Sequence, residues 1–174
     1  MASPINALVI MGVAGCGKSS VAQAICRLSG ATAIEGDAFH PPQNIDKMSA
    51  GIPLTDEDRS GWLARLGDEL RATLAAGQRP VLSCSALKLS YRDILRSAVP
   101  GLGFVFLQLP PDVAARRVAE RPDHFMPASM IDSQFKTLEP PFGEPLTLVL
   151  DASSQDIEEL ATAANDWWVQ PSLH

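Results

Sequence analysis

The chain is poor in cysteine and in positive charge, and it has no long apolar run. Cys16, Cys26 and Cys84 are its three cysteines. They form neither an even set nor a C-x-x-C pair, which argues against a disulfide framework or a zinc site and suits a reducing compartment. Lys and Arg number 14 against 20 Asp and Glu, for a net charge of -6. That balance weighs against a nucleic-acid partner unless basic residues cluster in space, but it permits a local cationic pocket for a small anion. No stretch approaches the roughly 20 apolar residues that span a bilayer, and Met1-Ala2-Ser3-Pro4-Ile5-Asn6 lacks the basic start of a signal peptide. A soluble, unexported, cytoplasmic protein with no membrane partner is the expectation. Repeats, linkers and low-complexity segments are also missing, so residues 1–174 read as one domain, and 46% hydrophobic residues suffice for a core.

Residues 5–11 form a short apolar run broken at Gly12, the pattern of a strand buried on both faces. Val21, Ala22, Ile25 and Leu28 then recur at helical spacing up to Gly30. Ala31 to Glu35 read as a second strand, followed by a Pro-rich loop to Pro53, long enough to carry binding groups. Thr55 before Asp56, Glu57 and Asp58 predicts an N-cap with first-turn acids, and a helix to about Gly77. Further strands are expected at Arg79 to Cys84, Phe104 to Leu109 and Leu146 to Leu150. Helices are expected from a Ser90 cap, from Pro110-Pro111-Asp112, over Ala128 to Leu138, and over Ile157 to Trp168, with an interruption at Pro122 to Pro127. This alternation implies an α/β fold with a mostly parallel sheet covered on both faces.

Gly12-Val13-Ala14-Gly15-Cys16-Gly17-Lys18-Ser19 matches G-x-x-x-x-G-K-[ST] between a strand and a helix. Glycines let the backbone bend so that N–H groups converge on a phosphate, and the following helix adds the positive end of its dipole. These residues and Ser20 are the candidate ATP-binding stretch. Lys18 is expected on the β- and γ-phosphates, and the Ser19 hydroxyl on Mg²⁺.

A GTPase would need an N-K-x-D segment, and none occurs. Asp58-Arg59-Ser60-Gly61 fits D-x-x-G by spacing but lies where a helix is capped. Asp151 ends an apolar strand, as a magnesium-holding acid does, yet that strand comes last and is expected at an edge. The third strand ends in Ser83-Cys84-Ser85 with no acid. Asp37, at the end of the second strand, is then the candidate carboxylate. Strand ends on that side face the ligand crevice, and an acid there can orient the acceptor hydroxyl, take its proton and hold a magnesium-bound water. The plainer alternative is a turn residue after Gly36.

Gly36-Asp37-Ala38-Phe39-His40-Pro41, Asn44-Ile45-Asp46-Lys47-Met48, and Gly51 to Arg59 with Trp62-Leu63 resemble the gluconokinase signature in order and spacing. Cys84-Ser85-Ala86-Leu87-Lys88 with Tyr91-Arg92-Asp93 continues the likeness, as do Arg117, Arg121, His124-Phe125 and Gln134 to Glu139. The resemblance spans nearly the whole chain. It implies a three-layer αβα P-loop NTPase sandwich with a five-stranded parallel sheet, similar to nucleoside monophosphate kinases and shikimate kinase. It also implies an acceptor region over about 37–62, a lid over about 121–139, a homodimer, and ATP-dependent phosphorylation of D-gluconate to 6-phosphogluconate. Arg121-Pro122-Asp123-His124 and Pro140-Pro141-Phe142-Gly143-Glu144 depart from the family pattern around the lid.

Gluconate is a chain of hydroxyls ending in a carboxylate, so its pocket needs a cation at one end and mixed donors and acceptors along it. His40, Lys47, Arg59, Lys88 and Arg92, with Asp37, supply that inventory. Arg59 stands in an acidic first turn, where a cation gains nothing from the helix dipole. Arg92 stands open between a ligand contact and a surface helix charge, and Lys47 between a ligand contact and a solvated lysine. Arg117 and Arg121 are one turn apart ahead of the lid, placed either to stabilise the transferring phosphoryl group or as an ordinary charged face. Trp167 and Trp168 suit packing of the last helix.

Overall fold

The structure is a computed structural model describing residues 5–120 and 128–169. Five strands, β1 (Ala7–Met11), β2 (Thr32–Glu35), β3 (Pro80–Ser83), β4 (Leu102–Gln108) and β5 (Thr147–Asp151), form one parallel sheet in the order β2-β3-β1-β4-β5. β1 is wholly buried at its centre, which is why its sequence is an unbroken apolar run rather than an alternating one.

The helices are α1 (Lys18–Ser29), α2 (Pro42–Ser49), α3 (Asp56–Ala75), α4 (Leu89–Ala98), α5 (Pro111–Ala119), α6 (Ala128–Thr137) and α7 (Ile157–Val169). On one face of the sheet Leu8, Ile10, Val105 and Leu107 pack against Val21 and Ile25 of α1 and Leu160 and Trp168 of α7. On the other face Val9, Met11, Phe104 and Phe106 pack against Leu63, Leu66 and Leu70 of α3 and Tyr91 and Leu95 of α4. The result is three layers. Trp168 is buried and its Nε1 donates to Ile5 O at 3.2 Å, so the paired tryptophans pack the last helix as expected.

Two local expectations are corrected. The Pro-rich stretch is not a loop throughout: Gly36–Phe39 forms a 3-10 turn and Pro42–Ser49 an α-helix, because Pro42 sits in its first turn, where proline is tolerated. Ser90 is not the cap of α4. The helix begins at Leu89, whose N–H donates to Glu139 Oε1 at 2.8 Å, so a distant carboxylate takes the capping role. The Thr55 cap is present as a full capping box: Asp58 N–H donates to Thr55 Oγ1 at 3.0 Å and Thr55 N–H to Asp58 Oδ2 at 2.9 Å. No helix among the described residues is long and apolar enough to cross a membrane.

Candidate active site

The phosphate loop leaves β1 through Gly12 at φ 147°. A Cβ there would stand 2.8 Å from Cys16 Sγ and 2.9 Å from Leu107 O, so glycine is required for space as well as for conformation. Gly17 caps α1 in the left-handed region, and Lys18 and Ser19 open the helix with its free N–H groups beside them. Lys18 Nζ donates to Val13 O at 3.2 Å across the loop. The Ser19 hydroxyl donates to Glu35 Oε2 at 2.6 Å, and the Ser83 hydroxyl donates to Glu35 Oε1 at 3.0 Å. Glu35 thus joins the ends of α1, β2 and β3. Its signal in the sequence is an acid closing a parallel strand, which Asp37, two residues on, also offers.

The chain turns sharply after Glu35. A Cβ on Gly36 would run into Ser83 O, and the Gly36 carbonyl accepts from Trp62 Nε1 at 2.8 Å. This turn presents Asp37 with its carboxylate exposed and His40 Nε2 3.6 Å from Oδ1. The His40 ring is buried, stacked on Trp62 at 4.0 Å, and its Nδ1 faces the Asn44 amide nitrogen at 3.3 Å. An amide donor opposite Nδ1 makes that nitrogen the acceptor and leaves the proton on Nε2, toward Asp37. His40 thus stands beside Asp37, and it also lines the cavity bounded by Phe39, Gln43, Asn44, Glu57 and Arg65.

Beyond it, the N-termini of α3 and α4 bring together four side chains. Arg59 Nη1 donates to Tyr91 Oη at 2.9 Å and to Leu54 O at 3.1 Å. Tyr91 Oη donates to Asp56 Oδ1 at 2.5 Å, which also accepts from Lys88 Nζ at 2.9 Å. The Tyr91 hydroxyl and then Lys88 hold the Asp56 carboxyl below its usual range, and Asp56 in turn raises Lys88. Burial and then Asp56 raise Tyr91. Asp56 and Tyr91 join the candidate site through these bonds; in the sequence a first-turn acid and a lone tyrosine each have an ordinary structural use.

The remaining candidates fall elsewhere. Lys47 is paired with Asp58 Oδ2 at 2.7 Å, inside the capping box of α3. Arg92 is neither a surface helix charge nor open to a ligand. It is fully buried, donating to Ala86 O at 2.7 Å, Glu139 O at 2.8 Å and both Glu144 oxygens at 2.9 and 2.7 Å. Arg117 lies against the phosphate loop, donating to Ala152 O at 3.0 Å and approaching Gly15 O at 3.5 Å. Arg121 and His124 lie outside the described residues. Asp151 is on the edge strand, as expected, and accepts from Ser153 and Ser154 in its own turn.

Cys84, just after β3, ties these parts together. Burial first of all pushes its thiol up to about 12, and the charges of Asp37, Lys18 and Arg59 all act on it, the acid raising it and the two cations lowering it.

A family model described as an AAA domain matches residues 8–141. The gluconokinase of Gluconobacter oxydans (strain 621H) is 47% identical over 156 residues, covering 88% of each chain. The chain belongs to the gluconokinase family. The structure of a gluconokinase from Sinorhizobium meliloti 1021 superposes with a TM-score of 0.85 at 46% identity, covering 99% of this chain and 98% of that one. An unliganded sugar kinase from Janibacter sp. HTCC2649 gives a TM-score of 0.90 at 42% identity, over 98% of each.

Proposed function

We propose that the protein transfers the γ-phosphoryl group of ATP to the terminal hydroxyl of D-gluconate, giving ADP and 6-phospho-D-gluconate. The observation that carries this reading is the phosphate loop bridged by Lys18 and tied to β2 through the Ser19–Glu35 bond, in a chain 47% identical to a gluconokinase over 88% of its length.

The backbone N–H groups where the phosphate loop enters α1, at Gly17, Lys18 and Ser19, and the Lys18 ammonium cradle and neutralise the donor phosphates, while Ala14 N–H is held by Gln134. Asp37, with His40 beside it, accepts hydrogen bonding from the attacking hydroxyl and takes its proton as the bond to phosphorus forms. Arg59 and Lys88 hold the acceptor carboxylate and nearby hydroxyls, with Tyr91 fixing the Arg59 guanidinium. Arg117, and Arg121 beyond the described residues, carry the positive charge that a transferring phosphoryl group draws.

Magnesium fits the residues present. Among the described residues no group of three or more His, Cys, Asp or Glu could hold a metal by itself. The available donors are the Ser19 hydroxyl with Glu35 behind it and the exposed Asp37 carboxylate. A hard, all-oxygen, incomplete set suits an ion that keeps waters and takes its other ligands from substrate phosphates. When bound, it supplies charge neutralisation at the β- and γ-phosphates. We further read the protein as one domain, a cytoplasmic homodimer, with a lid in the region 121–139 whose C-terminal end, from Gln134, is fastened to the phosphate loop and to α4.

A coupled ADP-release assay with gluconate, shikimate, glycerate and nucleoside monophosphates tests the reading. Gluconate is expected to give the highest kcat/KM. Preference for another acceptor overturns the substrate assignment, and acceptor-independent ATP turnover overturns the kinase.

A further inference from the structure

Helix α6 and the segment after it touch both halves of the site without belonging to either. Gln134 is buried in α6, and its Oε1 accepts from Ala14 N–H, at the tip of the phosphate loop, at 2.7 Å. Five residues later Glu139 is fastened to the acceptor-side loop three times. Its N–H donates to Leu87 O at 2.7 Å, its carboxylate accepts from Leu89 N–H at 2.8 Å, and its carbonyl accepts from Arg92 Nη2 at 2.8 Å. Arg92 also donates to Ala86 O at 2.7 Å. Ala86 has φ 46°, a conformation that a residue with a Cβ rarely adopts and that its surroundings must hold in place.

We propose that Gln134 is a positioning residue for phosphoryl transfer. With Arg92 and Glu139 as the far anchor, it makes the Gln134–Glu139 segment a strut that sets the phosphate loop at a fixed distance from residues 84–88. Ala14 N–H is a buried donor and requires an acceptor, but any loop-internal carbonyl would satisfy it. What the Gln134 amide adds is a bond across 120 residues of sequence to a helix whose C-terminal end is pinned beside Tyr91 and Lys88. Donor and acceptor must approach within a few tenths of an ångström of the reactive geometry, so the two loops have to be referenced to one rigid element. Leu138, in the same segment, packs against the cores on both faces of the sheet, which gives the strut its stiffness.

The proposal rests on the gluconokinase reading only for the choice of acceptor. Wild type inactive on gluconate would fail that reading, whereas active wild type with unaffected variants fails this one. Gln134→Met keeps length and removes the acceptor oxygen. It is expected to lower kcat at saturating substrates about ten- to a hundred-fold, while Kd for ATP measured without gluconate stays within about threefold. Gln134→Glu keeps an acceptor oxygen, and its new charge acts on KM for ATP, so kcat at saturating ATP should recover to within about fivefold of wild type. Arg92→Lys keeps the charge but cannot span its carbonyls and carboxylate, and it should lower kcat to a similar extent. The Gln134→Met/Arg92→Lys double variant should be little worse than either single variant, since both release one strut. The proposal falls if Gln134→Met stays within about twofold of wild-type kcat, if the Met and Glu variants lose equally, or if the two single losses multiply in the double variant. Should Gln134→Met not fold, Gln134→Glu and Arg92→Lys decide it: a Glu variant as impaired as Arg92→Lys, or an Arg92→Lys variant with unchanged kcat, overturns it.

Discussion

Glu35 Oε2 lies 2.6 Å from the Ser19 hydroxyl, while Oε1 of the same carboxylate holds Ser83 at 3.0 Å. The residue expected to ligate magnesium is therefore oriented by an acid two positions before the proposed base. Outer-sphere partners of this kind are typically worth about 10- to 100-fold in metal affinity. Glu35→Gln retains size and one accepting oxygen but loses the charge. The free Mg²⁺ giving half-maximal activity should rise by about that factor, with kcat largely recovered at high Mg²⁺. An unshifted magnesium titration would remove Glu35 from the metal's surroundings.

Arg59 and Tyr91 give a graded pair. Arg59→Ala loses a charge-assisted bond to the acceptor carboxylate, at a cost of about 1.5 to 3 kcal/mol, and should raise KM for gluconate while leaving KM for ATP unchanged. Tyr91→Phe leaves the guanidinium in place but removes the hydroxyl that fixes it and bridges to Asp56. Its KM for gluconate should rise less than that of Arg59→Ala. Steady-state kinetics with each substrate varied in turn checks both. Equal gluconate KM values in wild type and Arg59→Ala would return Arg59 to a purely structural role.

The strands, the phosphate loop and the capping box of α3 were legible in the sequence because each is specified locally: by an apolar run, by glycine spacing, by Thr55 and Asp58 three residues apart. The failures share a different cause. In the sequence Arg92 stands between a ligand contact and a surface helix charge, and it is neither because the Pro-rich segment 139–144 folds back to cover it; no local pattern announces a contact across about fifty residues. Ser90 looked like a cap for the same reason, since the group capping α4 is Glu139, distant in sequence.

Asp58 makes the acid limb of stability predictable. Its bond from Lys47, then that from Thr55 N–H, holds its carboxyl down to about 2 from an ordinary 3.8. A carboxyl with a depressed folded-state pKa contributes stability above its unfolded value, and loses it as pH falls through the folded one. The window is thus from about pH 4 down to about pH 2. Asp58→Asn can still accept from Thr55 N–H but carries no charge for Lys47. Thermal melts across that range should show a shallower fall in Tm for the variant than for wild type. Parallel curves would mean that the Lys47 pair contributes nothing.

Asp37→Asn tests the residue on which the chemistry depends. The substitution keeps size and hydrogen-bonding capacity, and the neighbouring His40 ring is held by Trp62 and Asn44, so the local structure should survive. What disappears is the basic site. General-base catalysis is worth about 10²- to 10⁴-fold, and kcat should fall within or beyond that range. ATP binding measured without gluconate should be preserved, because the loop N–H groups and Lys18 are untouched. Magnesium separates this variant from Glu35→Gln: a lost base does not return with added metal, whereas a loosened metal site does. Any part of the Asp37→Asn loss that high Mg²⁺ recovers measures how far Asp37 also holds a metal-bound water. If the variant kept more than about half of wild-type kcat, Asp37 would be excluded as the base. Glu35 would then be the carboxylate to carry the proton, since Asp58 is already held in its pair with Lys47.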